Sequence, residues 1–422
     1  VINCWELDSK AKLVVEEIPY VRSVAIGVFI KVGSRHENLP LSGASHFIEH
    51  MLFKGTDRRS AREIAESFEG IGGQLNAFTA KEYTCVYART LDEHLDTALD
   101  IIFDMLFHPS FASKDFETEK GVIIEEINMY EDTPDDLVQD VFSQQLWQGH
   151  SMGRPILGTL DSVQSFKREE IYDFYRQAYI PANMIISIAG NVNAERIQDK
   201  MESFLNQDRH GGTQFVNTKI GDYVPFIRTV AKDTEQVQIC LGLPGISYQD
   251  ERRYSQNVMN SILGGGISSR LFQSIREELG LAYSVYSYPS NYSDTGSYVI
   301  HIGTGPGKVA QFFEVFHAEI DKFREQGVTP GEVERTRQLI KSSMLMGMES
   351  VMNRMNRLGK SILMYEQVIP VDAVLEKIYA VTPEKVNRFA NEVVDLPRFS
   401  LAAVGSAEVL ALVESEYKKW WK

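Results

Sequence analysis

Three cysteines are spread over 422 residues, at Cys4, Cys85 and Cys240, and no two stand at the close spacing of a thiol metal site or a dense disulfide framework. They are expected to be reduced thiols in a cytoplasm-like compartment. Long apolar runs are missing as well. No stretch reaches the roughly 18 apolar residues that a membrane-spanning helix needs, so no membrane partner is expected. Glu6, Asp8 and Lys10 interrupt the first twenty residues, and no signal peptide is expected there. Positive charge is scarce relative to negative, with 43 Lys and Arg against 58 Asp and Glu and a net charge of −15. That balance argues against a grip on the backbone of DNA or RNA. The acidic excess reads first as a solvated surface, and only second as a chamber for basic peptides.

What is present is periodic. A 43% hydrophobic chain of this length is expected to form two or three domains. Val24, Ile26, Val28, Ile30 and Val32 alternate with Ala25, Gly27, Phe29 and Lys31, which predicts a strand with one strongly apolar face. A second such strand runs through Val237, Ile239, Leu241 and Leu243. Pairing Ile26 with Val237 gives an offset of 211, and the same offset carries the helical segment 46–52 onto another amphipathic segment, 257–263. A third echo links Glu117-Thr118-Glu119-Lys120 with Glu332-Val333-Glu334-Arg335 at an offset of 215. The chain therefore reads as two copies of one unit.

The polar, glycine-rich stretch Asp208-Arg209-His210-Gly211-Gly212-Thr213 continues neither helix nor strand. It sets the expected division: an N-terminal domain over 1–207, a linker over 208–225 and a C-terminal domain over 226–422. Within each half strands come first and long helices follow. Leu91, Leu95, Ala98, Leu99, Ile102 and Leu106 recur at helical spacing as a core stripe. The expected fold class is α+β, two homologous layered α/β sandwich domains, each a mainly antiparallel sheet covered by helices.

The chemistry concentrates on one short helix. At about 100° per residue, His50 falls about 40° and Glu49 about 60° from His46, while Phe47, Ile48, Met51 and Leu52 occupy the opposite face. Two imidazoles at i and i+4 can share one metal ion, and the carboxylate beside them can reach a water on it. This H-x-x-E-H order inverts the commoner H-E-x-x-H. On the order of one chain in a hundred of this size would carry it by chance. A catalytic zinc normally takes a third protein ligand. The stripe Phe116, Ile123 and Ile127 marks a helix whose border carries Glu119 and Glu126, and Glu125 competes with Glu126 for the role. The duplication acts as a control. His46, Glu49 and His50 face Asn257, Asn260 and Ser261, and Glu126 faces Lys341, so the apolar pattern persists without the metal set.

These residues resemble the pitrilysin family of metallopeptidases, in the branch of the mitochondrial processing peptidases and their bacterial relatives. The likeness covers nearly the whole chain and rests on Gly33-Ser34-Arg35, on the run from His46 through Thr56, on Asn76-Ala77-Phe78-Thr79, and on Val122-Ile123-Ile124-Glu125-Glu126. The family's third ligand follows the second histidine by 76 residues, which selects Glu126. The resemblance further implies that Glu119 supports the metal site, that Asn76 and Ala77 on an edge strand bind substrate backbone by strand addition, and that Arg276 and Tyr283 bind substrate. On their own, the first pair is only a strand after Gly72-Gly73, and the second only an arginine and a tyrosine seven apart. Noncatalytic relatives carry a long glycine-rich loop and lack the metal set. Here only Gly264-Gly265-Gly266 stands and the set is complete.

The expectation is a zinc endopeptidase with one Zn2+ per chain, His46, His50 and Glu126 as ligands and Glu49 as general base, acting on extended or unfolded peptide substrates. The rival is a noncatalytic peptide-binding or scaffold subunit, which has no need of the four residues together. Longer relatives close four such domains into a clamshell, so two domains are expected to pair as a homodimer.

Overall fold

The computed structural model describes residues 1–205, 212–213 and 215–420. Among the described residues, eleven strands form two sheets. The first contains β1 (Ile2–Glu6), β2 (Lys12–Glu17), β3 (Ser23–Ile30), β4 (Gln74–Thr79), β5 (Thr84–Leu91) and β6 (Met184–Gly190), in the order β1-β2-β6-β3-β5-β4. The second contains β7 (Ile227–Ala231), β8 (Val237–Pro244), β9 (Ala282–Asn291), β10 (Gly296–Thr304) and β11 (Ser400–Gly405), in the order β7-β11-β8-β10-β9. Each sheet is antiparallel except for one pair, β2 with β6 and β7 with β11. Remove β1 and the two orders superimpose strand for strand. The duplication read from hydrophobic alternation is thus a duplication of topology, and the fold is the expected α+β.

The central strands explain the pattern. Val24, Ile26, Val28 and Ile30 of β3 are buried in one core, and Ala25 and Phe29 are buried in a second layer on the opposite face. A strand sandwiched between two layers cannot show clean polar alternation. Over the first face lie α1 (Ala44–Leu52), α2 (Ala61–Gly70) and α3 (Leu95–Phe107), with Leu95, Ala98, Leu99, Ile102 and Leu106 buried as expected. Leu91, expected in the same helical stripe, instead ends β5 before the helix begins and is exposed.

The chain packs into two compact units, and they are not the contiguous spans expected. One comprises Val1–Asn128, Arg154–Lys219 and Leu345–Val368; the other comprises Met129–Gly153, Ile220–Met344 and Ile369–Lys422. The cause is a reciprocal exchange. The helix Val351–Tyr365, from the second half of the sequence, lays Val351, Met355, Leu358 and Ile362 on the back of the first sheet, against Val14, Ala25, Phe29 and Ile185. Two glycines make that contact close: a Cβ on Gly27 would lie 2.2 Å from Met355 Sδ, and one on Gly359 would lie 2.1 Å from Phe29 Cε2. In the other unit, α5 (Pro134–Leu146), which follows α4 (Ser113–Glu131) in the chain, covers Cys240, Val299, Ala402 and Val404 of the second sheet with its Val138, Val141 and Phe142. A repeat search on sequence sees two copies in succession; it does not see that each copy lends the other its back layer.

Of the expected linker, residues 208–211 and 214 lie outside the described residues, and 215–225 form neither helix nor strand. All three cysteines are free. No helix among the described residues is long and apolar enough to cross a membrane.

Candidate metal centre

α1 begins at Gly43, whose φ of 95° is open to glycine at little cost, and Gly43 has no side chain to cap the helix. The cap comes from upstream. Glu37 is buried and accepts hydrogen bonds from the backbone N–H of Gly43 at 2.8 Å and of Ser45 at 2.7 Å. These satisfy donors that the first turn would otherwise leave unpaired. Burial pushes the Glu37 carboxyl up to about 7, against the pull of those two N–H groups and Arg154. Further along, Phe47 packs on Phe116 of α4 with ring centroids 4.7 Å apart. The apolar face of α1 is thereby locked on α4, and its polar face is aimed at Glu126.

The Nε2 atoms of His46 and His50 each lie 3.7 Å from Glu126 Oε2. Ligand atoms of the three residues all fall within 4.8 Å of one another. Around an ion bound at about 2.1 Å, tetrahedral ligand atoms stand about 3.4 Å apart, so this donor set fits a zinc-sized ion. Burial, with a smaller push from His50, lowers the His46 pKa to about 3, which leaves its imidazole neutral at ordinary pH. Glu125, one residue away, is exposed.

Glu119 sits one layer further out. Its Oε1 lies 2.7 Å from His50 Nδ1, and its Oε2 forms an ion pair with Lys54 Nζ at 2.7 Å. Donating from Nδ1 leaves His50 Nε2 with its lone pair toward the centre. Burial alone would raise the Glu119 carboxyl, but His50 and Lys54 outweigh it and hold the group below its usual range. Glu49 behaves in the opposite way. Burial raises its pKa, the Thr79 hydroxyl pulls it back, and a raised carboxylate suits proton abstraction.

The remaining expected residues fall in two places. Asn76 and Ala77 are on β4, one of the two edge strands of the first sheet; Asn76 Oδ1 accepts from the Ala77 N–H at 2.8 Å. Arg276 and Tyr283 belong to the second unit, on the helical turn Phe272–Glu278 and the start of β9. The Arg276 guanidinium lies 5.3 Å from the centre of the Tyr283 ring, and Tyr283 is 75% exposed. Sequence reasoning missed Glu37, Lys54 and Thr79. The one available signal was for Glu37: a helix starting at glycine needs its cap from elsewhere.

A profile described as Insulinase (Peptidase family M16) matches residues 12–160, and one described as Peptidase M16 inactive domain matches residues 165–340. The uncharacterized zinc protease YmxG of Bacillus subtilis is 42% identical over 391 residues, covering 93% of this chain and 95% of that relative. The chain belongs to peptidase family M16. Another relative, the uncharacterized zinc protease SCO5738 of Streptomyces coelicolor, is 39% identical over 401 residues, 93% of this chain and 87% of its own length. Two solved structures share the fold at 19% identity. The peptidase M16 inactive domain from Pseudomonas fluorescens superimposes with a TM-score of 0.88 over 96% of this chain and 98% of that one. A protease from Helicobacter pylori does so with 0.89 over 96% and 99%. In this M16 chain the helix standing where α1 stands, Arg253–Leu263, carries Asn257, Asn260 and Ser261 instead of the H-x-x-E-H residues.

Proposed function

We propose that this chain is a zinc-dependent endopeptidase of the processing-peptidase type, hydrolysing extended or unfolded peptides as a homodimer with one zinc per chain. The observation that carries the reading is the convergence of His46, His50 and Glu126 within 4.8 Å, with Glu49 on the same helix face. Bound there, zinc supplies a Lewis acid that lowers the pKa of a water and polarises a peptide carbonyl. Glu119 keeps the His50 ring turned inward. Glu49 accepts the proton of the attacking water, the water oxygen adds to the carbonyl carbon, the C–N bond breaks, and Glu49 returns the proton to the departing amine. β4 offers its outer edge to an extended chain at Asn76 and Ala77, which favours unfolded substrates. Arg276 and Tyr283 are the donors assigned to the substrate carbonyl, supplied by the second copy.

A peptide-library digest with wild type and Glu49→Gln tests this reading. The amide keeps the shape and removes the proton acceptor, so the variant should retain its zinc and lose about a hundredfold or more of its turnover. Near-normal cleavage by the variant overturns the mechanism. Loss of zinc along with activity would make Glu49 a structural residue.

A further inference from the structure

The oxygen of Thr79 touches the proposed base from the proposed substrate strand. Thr79 closes β4, and its Oγ1 donates to Glu49 Oε2 at 2.6 Å. Among the described residues that is the hydrogen bond Glu49 has, so its Oε1 is left for a water. Residues of a strand alternate between faces, so Thr79 shares the α1 side of the sheet with Ala77 and Leu75, while the outer edge of β4 carries the main-chain groups a peptide would pair with.

Both partners of this hydrogen bond are fixed by the same short loop. Beyond Thr79 the chain turns through residues 80–83, and the Ala80 and Lys81 carbonyls accept from the backbone N–H groups of Ser34 at 3.2 Å and Arg35 at 2.8 Å. A Cβ on Gly33 would lie 2.2 Å from the Ala80 oxygen, so the hairpin end sits directly on the backbone there. Two residues further, Glu37 clamps the first turn of α1. The end of β4 and the start of α1 are thus held to one another through residues 33–37, and the Thr79–Glu49 contact spans the gap between them.

We propose that Thr79 is a positioning residue that sets the rotamer of Glu49 in register with the strand that takes the substrate. This rests on the peptidase reading above. Peptide pairing with β4 and the direction of the base then have a common reference, and the free oxygen of Glu49 meets the scissile bond wherever β4 places it.

The test compares Thr79→Val with Thr79→Ser in the full-length chain. Valine keeps the shape and removes the hydroxyl; serine keeps the hydroxyl. Thr79→Val should lower kcat about ten- to a hundredfold with KM within about threefold of wild type. Zinc content and melting temperature should be preserved, and a crystal structure should show Glu49 in another rotamer. Thr79→Ser should restore kcat to within about threefold. Unchanged kcat in Thr79→Val overturns the proposal, as does serine being as impaired as valine, or an unmoved Glu49. If valine lowers the melting temperature, Thr79→Ala against Thr79→Ser makes the same comparison. Failure of the peptidase reading is distinguishable, because it shows as undiminished cleavage by Glu49→Gln.

Discussion

His50 Nδ1 stands 2.7 Å from Glu119 Oε1, and the other oxygen of that carboxylate is held by Lys54. The arrangement fixes the imidazole in orientation and, with Nδ1 as donor, in tautomer, before any ion arrives. Glu119→Gln keeps an acceptor near Nδ1 but removes the charge that Lys54 pairs with and that makes the ring a better donor of its lone pair. Zinc affinity should fall about 10- to 100-fold, measured by competition with a chelator of known strength. Affinity equal to wild type would show that Glu119 serves only to neutralise Lys54.

Glu125 and Glu126 offer a sharper comparison, since they have the same chemistry one residue apart. Glu126 Oε2 lies 3.7 Å from both imidazole Nε2 atoms, whereas Glu125 is exposed on the outer side of α4. Glu126→Gln should lose most of its zinc on dialysis and Glu125→Gln almost none. Equal retention in the two variants, or loss only at position 125, would mean that another group completes the site.

The exchanged helix yields a prediction about stability. Gly359 faces Phe29 so closely that an alanine methyl would sit 2.1 Å from Cε2 and 2.6 Å from Cζ. Phe29 is fully buried between β3 and this helix and has no free direction to turn. Gly359→Ala should therefore destabilise the fold by about 1–3 kcal/mol despite its gain in helix propensity. Chemical denaturation read by tryptophan fluorescence measures it, and a neutral or stabilising effect would mean that the helix does not pack on β3 as described.

The parts of this molecule that were legible in the sequence are those with a period. Alternation in β3 and β8 announced the strands and their duplication, and the 3.6-residue repeat in α1 sorted His46, Glu49 and His50 from Phe47, Ile48, Met51 and Leu52. Period failed at Glu125 and Glu126, because both flank one apolar stripe; the family spacing chose between them, and the physical reason, the packing of α1 on α4, is not local. It also failed for Thr79 and Glu49, 30 residues apart, which meet solely because β4 runs beside α1. The stripe Val351, Met355, Leu358 and Ile362 says that a helix face is buried, but nothing local says against which sheet. That is why the units expected at 1–207 and 226–422 differ from those that pack.

The metal set lies in the first unit and Arg276 with Tyr283 in the second, so the proposed homodimer can build its sites within one chain or across two. Sharing across two is the proposal, and mixing distinguishes them. His50→Ala alone should be inactive for want of a ligand, and Arg276→Ala combined with Tyr283→Phe should be inactive for want of substrate donors. In a mixed dimer with sites shared in trans, the intact metal set of one chain meets the intact Arg276 and Tyr283 of the other, while the second site carries both lesions. Random exchange makes about half the dimers mixed, each with one good site of two, so activity should return to about a quarter of wild type. Sites built in cis would leave every chain defective and the mixture silent. Subunit exchange has to be demonstrated in the same samples, by native mass spectrometry of differently tagged chains. With exchange established, a silent mixture, or an active enzyme that proves monomeric, rules out sharing in trans.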